Sequence, residues 1–142
     1  MNKELMMLKN ADTWELVKPP ENVNIVGSKW VYKVKKDAAG NIVHYKAQLV
    51  AQGFSQVPGI DYFDMFAPVA KLASIWTVLA IAAAWNFEIH QIDIKGAYLN
   101  GKLNQNEIIY IQQPLGFMDP KQSLSVCCLK KTLYTLKQSG WK

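Results

Sequence analysis

One segment of the chain carries residues that can do chemistry together: Gln91-Ile92-Asp93-Ile94-Lys95-Gly96-Ala97-Tyr98-Leu99-Asn100-Gly101. A single aspartate, Asp93, ends an alternating apolar run and is followed by small residues that let the backbone bend. A carboxylate so placed can hold Mg²⁺, a hard cation that takes oxygen ligands and leaves positions open for phosphate. The amides of Gly96 and Ala97 can then face a triphosphate, as turn and helix-start amides do. Tyr98 can lie against a sugar. The plainer reading is a strand-end aspartate that caps a helical turn. On residue types alone that reading has the advantage, because two-metal phosphoryl chemistry needs more than one carboxylate.

A second constellation is basic. The net charge is +5 over 142 residues, and Lys29, Lys33, Lys35, Lys36 and Lys46 lie close together in the chain. Lys130, Lys131, Lys137 and Lys142 crowd its end. A basic balance favours nucleic acid or anionic surfaces as partners; the bland alternative is a mildly basic soluble surface. The two cysteines, Cys127 and Cys128, are adjacent, with no CxxC spacing and no nearby His. That argues against a zinc site and a disulfide framework, and it fits a reducing, intracellular, cytoplasmic setting. No secretory signal is visible at Met1-Asn2-Lys3-Glu4-Leu5. The longest apolar stretch, Ile75 to Trp85, is about half of the roughly 20 residues a membrane span needs, so no membrane partner is expected.

These residues need elements to position them. Half of the residues are hydrophobic and 19% are charged, which suits a globular domain and not a disordered one. Asn2 to Asn10 reads as a short amphipathic helix closed by Asp12-Thr13. Ser28 to Lys36 alternates, with Trp30, Tyr32 and Val34 on one face and Lys29, Val31, Lys33 and Lys35 on the other, so it reads as a strand. Asp37 to Asn41 is a turn, and Ile42 to Gln52 completes a hairpin. Ser74 to Trp85 is the best helix pattern, with Ser74 as candidate N-cap and Asn86 as its stop. Phe87 to Ile94 alternates again and reads as a strand. Asn100-Gly101 signals a tight turn. Ile108 to Gln112 and Val126 to Leu129 read as short strands, and Lys130 onward begins a helical pattern. The fold class is α+β, with helices and antiparallel strands interleaved.

Several blocks, in order, resemble the reverse transcriptase region of copia-type retrotransposon Pol polyproteins. Asp12 to Val17 is similar to TWELV, and Gly27 to Lys35 to GCKWVFKVK. Tyr45 to Phe54 is similar to YKARLVAKGF, and Gly59 to Tyr62 with Phe66 to Val69 to GIDY…FAPV. His90 to Gly101 is similar to HQMDVKTAFLNG, Tyr110 to Phe117 to YMEQPEGF, and Leu129 to Gln138 to LKKALYGLKQ. One block would be weak; this many in order is specific, and they cover nearly the whole chain.

The resemblance implies a right-hand polymerase fold, here the fingers plus the beginning of the palm, truncated. Residues of about 13–70 and 101–142 would be fingers-like, and about 71–100 the start of the palm. It implies an RNA-directed DNA polymerase that takes an RNA template, a DNA primer and dNTPs, with two Mg²⁺ ions as cofactor and a virus-like particle as the parent element's setting. Asp93 matches the first catalytic, metal-binding aspartate, and the Ile94 carbonyl a second ligand. Gly96 and Ala97 match amides that meet the triphosphate. Tyr98 matches a steric gate against the 2′-hydroxyl. Gln138 matches a glutamine near the incoming nucleotide, and Lys46 lies in the strand that faces it. Lys33 and Lys35 would contact nucleic acid.

The departures carry their own expectations. The family pairs its first aspartate with an adjacent DD pair downstream, and these 142 residues contain none. Gln48 stands in place of Arg, which removes a bidentate phosphate partner. Gln52 stands in place of Lys, Trp76 where Arg is common and Gly96 where Thr is common. Ser139 to Lys142 is similar to a shortened version of the family's run. The chain is therefore expected to be inactive alone: a catalytically dead nucleic-acid-binding fragment, or a relic of a partial or decayed element.

Overall fold

The computed structural model describes residues 1–63, 69–94, 96–103 and 107–140. Its elements are α1 (Asn2–Asn10), β1 (Trp14–Val17), β2 (Ile25–Val26), β3 (Ser28–Lys36), β4 (Ile42–Ala51), α2 (Leu72–Ala84), β5 (Tyr110–Ile111) and β6 (Val126–Leu129). Two short 3₁₀ turns, Gly53–Ser55 and Ala97–Asn100, complete them.

α1 forms because Leu8 has a buried site beneath it and because Glu4 and Lys9 sit at the dipole-favoured ends. Its exit is tied twice to one carbonyl: the Thr13 amide and hydroxyl both donate to the Leu8 oxygen, at 3.2 and 2.8 Å. Asp12 turns the chain there with φ +49°, a conformation Asp tolerates.

The strands form two sheets. In the first the order is β1-β6-β5-β2: β1 pairs antiparallel with β6, β6 antiparallel with β5, and β5 parallel with β2. The parallel pair departs from the expected all-antiparallel arrangement. The second sheet is the β3–β4 ribbon, antiparallel from Ser28↔Ala51 to Lys36↔Ile42 with an irregularity between Lys35 and Lys36. Its turn is held by Asp37, whose carboxylate accepts from the Asn41 amide at 2.8 Å. The Asn41 backbone and side-chain donors hold the Asp37 carboxyl below its usual range. Gly40, at φ +87°, supplies the left-handed residue that this turn needs.

One core joins α1, the first sheet and the root of the ribbon. It contains Leu8, Val26, Leu49, Ala51, Leu99, Ile109, Ile111, Cys127, Leu129, Leu133 and Leu136. Burial pushes the Cys127 thiol up to about 12 and that of Cys128 up as well. A neutral thiol is thus favoured in the fold. Its contribution to stability is complete below the ordinary value of 9.0 and is lost as pH rises from there toward about 12. Cys127 should resist a thiol reagent at pH 8 in the native chain and react at once after denaturation; rapid native reaction would show that the core opens readily.

Three expectations need correction. α2 starts at Leu72, with Lys71 and not Ser74 as its N-cap, and no side chain caps it. It stops as expected at Asn86, whose φ is +55°. Phe87 to Ile94 forms no strand: every residue in it is exposed, and alternation cannot make a strand without a partner ladder. From Lys130 onward the chain runs in turns, not a helix. Thr135 sits at φ +71°, and the Tyr134 carbonyl accepts from the Ala51 amide at 3.0 Å, so the backbone is drawn out of any i→i−4 ladder.

Candidate functional site

The sequence-based site residues fall into three separate settings. The first is the ribbon. Cross-strand partners share a face, so the register places Lys33 directly opposite Lys46 and Lys35 opposite His44, with Lys29 further along the same side. Like charges placed opposite each other are unfavourable, and neither strand carries an acid. Among the described residues no lysine of the ribbon is in an ion pair; the pairs present are His90–Glu88, Lys130–Asp12 and Lys130–Glu15. Glu4 of α1 is the acid near Lys46. Its own carboxyl is raised by burial, against the lowering effects of the Leu49 amide and Lys46. The face therefore presents positive charge that the described residues leave largely uncompensated. Lys130 does not belong to it. That ammonium is held by Glu15 and Asp12, each at 3.2 Å, and these hydrogen bonds raise its pKa.

The second setting is the Asp93 segment. Asp93 and Ile94 are exposed, in the irregular stretch after α2. Gly96 takes φ +65°, and its carbonyl accepts from the Leu99 amide at 2.8 Å to start the Ala97–Asn100 turn. Leu99 is buried in the core and anchors that turn, while Ala97 is exposed. Lys95 and the Tyr98 side chain lie outside the described residues. Nearby His90 and Glu88 pair with each other at 3.6 Å. Among the described residues no group of three or more His, Cys, Asp or Glu side chains comes together to hold a metal ion. Asp93 and the Ile94 carbonyl do not by themselves make a Mg²⁺ site, and no step through the ion follows from them.

The third setting is Gln138, 1% exposed. Its amide NH₂ donates to the Asp61 carbonyl at 3.0 Å, and its oxygen accepts from Gln56 Nε2 at 3.1 Å. Gln56 Oε1 in turn accepts from the Lys137 amide at 2.8 Å. The buried Asp61 carboxylate accepts from Asn24 Nδ2 and the Val57 amide. This network clips the Gly53–Tyr62 loop to the end of the chain. The sequence reading passed over Asn24, Gln56 and Asp61; the signal available was the Gly59-Ile60-Asp61-Tyr62 block, an acid inside a turn with apolar neighbours. Gln138→Leu should cost about 2–4 kcal/mol, because the Gln56 amide and the Asp61 carbonyl would both lose their partner. Chemical denaturation of the two chains checks this, and a loss below about 0.5 kcal/mol would mean that water replaces the glutamine.

Comparison with known proteins adds the following. The family model described as reverse transcriptase (RNA-dependent DNA polymerase) matches residues 11–142. A retrovirus-related Pol polyprotein from transposon TNT 1-94 of Nicotiana tabacum is 42% identical over 139 residues, 98% of this chain and 10% of that protein. One from transposon RE1 of Arabidopsis thaliana is 41% identical over 140 residues, 98% of this chain and 9% of that one. An uncharacterized mitochondrial protein of Arabidopsis thaliana is 41% identical over 98 residues, 63% of this chain and 58% of its own length. The chain thus spans about a tenth of the Pol relatives. No solved structure matches it.

Proposed function

Because the chain belongs to the reverse transcriptase (RNA-dependent DNA polymerase) family, we propose that it supplies the nucleic-acid-holding ribbon and the first catalytic aspartate of a copia-type RNA-directed DNA polymerase. The observation that carries the reading is the Ser28–Ala51 ribbon: five lysines, no acid on either strand, and Lys33 set opposite Lys46. Phosphates are the natural counter-charge for such a face. Residues 13–70 and 101–142 serve as fingers and 71–100 as the start of the palm. Lys46, Gly96, Ala97 and Tyr98 belong to the dNTP side by resemblance, and Asp93 with Ile94 to the Mg²⁺ side; Gln138, which the resemblance also puts near the nucleotide, is buried here and bonded to Gln56 and Asp61. The partners are an RNA template and a DNA primer in an intracellular setting. Among the described residues no helix is long and apolar enough to cross a membrane.

The chain alone should bind an RNA–DNA hybrid weakly and with little regard to sequence. Each phosphate contact adds about −0.7 to −0.9 to the log–log salt slope. Neutralising Lys33, Lys35 and Lys46 together to Gln should therefore flatten that slope by roughly two units. Fluorescence anisotropy across a salt series reads it. Binding indifferent to salt, or a slope untouched by the triple substitution, sinks the reading.

A further inference from the structure

The outer edge of β4 is only half covered. In an antiparallel pair every second residue turns its amide and carbonyl away from the partner strand. On β4 two observations fix which residues these are. The Ala51 amide donates to the Tyr134 carbonyl at 3.0 Å, and the Ala51 carbonyl accepts from the Thr135 hydroxyl. The Leu49 amide donates to the Glu4 carboxylate of α1. Ala51 and Leu49 therefore face outward, and the same alternation turns Ala47 and Tyr45 outward. There the cover ends. Among the described residues nothing accepts from the amides of Ala47 and Tyr45 or donates to their carbonyls across that edge. Charge guards it thinly: β3 carries four lysines, whereas β4 carries Lys46 alone. Residues 87–94 have the opposite defect. They alternate as a strand does, yet every one is exposed. The Phe87 amide donates to the Ala82 carbonyl at 2.8 Å, and none of residues 88–94 makes a backbone hydrogen bond to another described residue.

We propose that residues 87–94 of one copy of this chain add as a strand to the open β4 edge of a second copy, at Tyr45 and Ala47. The contact does not depend on what the lysine face holds. An edge with unpaired amides and carbonyls is a template for an extended segment that lacks a ladder of its own. A strand laid there sets alternate side chains on the two faces of the ribbon. One face carries Tyr45 and Ala47, the other His44 and Lys46. The segment divides in the same sense, with Phe87 and Ile89 on one side and Glu88 on the other. Phe87 and Ile89 beside Tyr45 put Glu88 on the side of Lys46. Charge agrees: residues 87–94 contain Glu88 and Asp93 and no lysine or arginine, and the ribbon has five lysines and no acid. Glu4 already shows the pattern within the chain, a carboxylate on an outward β4 amide near Lys46. Two copies carry both halves of the contact, so they can exchange two such strands about one two-fold axis. A ladder this short is weak by itself. The apolar face of α2, next to the segment in the chain, brings the copies together.

Amide hydrogen exchange of the full chain, read residue by residue as concentration rises, tests this. Exchange at Tyr45 and Ala47 should slow about ten-fold or more as the copies associate. I89K/I92K alters only exposed side chains and adds charge that the ribbon repels. Both amides should then stay fast, even where the variant still associates through α2. A47P removes one outward donor and no bond of the β3–β4 ladder, so Tyr45 should stay fast there as well. Circular dichroism checks that the ribbon persists. A peptide with the sequence of residues 86–94, added to the dilute wild-type chain, should slow the same two amides, and a scrambled peptide should not. Protection that does not change with concentration would put the segment on its own ribbon and overturn the second copy as occupant. Protection at Tyr32 and Val34 instead would move the contact to β3 and overturn the β4 edge. Fast exchange at Tyr45 and Ala47 in associated wild-type chains, or slow exchange that survives I89K/I92K, overturns strand addition. So does a wild type that stays monomeric at every concentration with both amides fast in the presence of the peptide.

Discussion

Purified by itself, the chain should self-associate, and its stability should be low. The reason lies between Leu72 and Ile94. α2 buries Ala82 and only partly covers Leu79, while Trp76, Val78, Ile81 and Trp85 stay exposed. The stretch after it adds Phe87, Ile89, Ile92 and Ile94, and Ile92 is 83% exposed. Monomeric proteins rarely show contiguous apolar patches beyond a few hundred Å². Each large side chain left in water forgoes about 1.5–3 kcal/mol of burial, against a typical net stability of about 5–15 kcal/mol. No charged residue interrupts Leu72 to Phe87, so nothing on the helix repels another apolar surface. Sedimentation should show oligomers or aggregate. W76E/V78K/I81E, which alters only exposed side chains, should give a mostly monomeric chain. The core around Leu49, Ile111 and Leu133 should then melt as before, since among the described residues none of these three positions belongs to it or is packed against it. A monodisperse wild-type monomer that unfolds in one transition above ~50 °C, in the mesophile range, would mean that this surface closes in solution.

Legibility in the sequence followed how local each element's causes are. The ribbon was readable because alternation, a basic face and the Asp37–Asn41 turn all act within a few residues, and β3 spans Ser28–Lys36 as expected. α1 and the stop at Asn86 were readable for the same reason, as was β6 at Val126–Leu129. The misses need partners far away in the chain. The parallel match of Ile25 to Tyr110 has no local signature. Phe87 to Ile94 has strand periodicity and no ladder to join. The helical spacing of Leu133, Leu136 and Lys137 is overridden at Thr135, a β-branched residue held at positive φ while its hydroxyl donates to the Ala51 carbonyl. The family blocks put a glycine at that position, which is the residue such a conformation favours. At the site, the lysine face could be read from β3 alone. The setting of Gln56 and Asp61 could not, because it depends on Asn24 and Gln138 arriving from opposite ends of the chain.

The same division between local and distant causes governs activity. The 142-residue chain should not extend a primer when given Mg²⁺ and dNTPs. Asp93 is exposed, and among the described residues no group of three or more His, Cys, Asp or Glu side chains gathers with it. The chain also contains no adjacent Asp–Asp pair that could join it. Two-metal phosphoryl transfer depends on carboxylates that fix both ions and neutralise the attacking and leaving oxygens. Loss of a preorganised electrostatic contact of that kind typically costs about 2.7–4 kcal/mol for a single donor, or two to three orders of magnitude in rate. Several contacts missing together put the rate below detection. Binding should nonetheless survive, because the ribbon lysines do not depend on Asp93. Asp93→Asn should therefore leave hybrid affinity and its salt slope unchanged, while K33Q/K35Q/K46Q reduces both. A gel-based extension assay run beside the anisotropy series separates the two properties. Extension clearly above a no-protein control, abolished by Asp93→Asn, would show that the chain assembles a working metal site, for example by pooling carboxylates between associated copies.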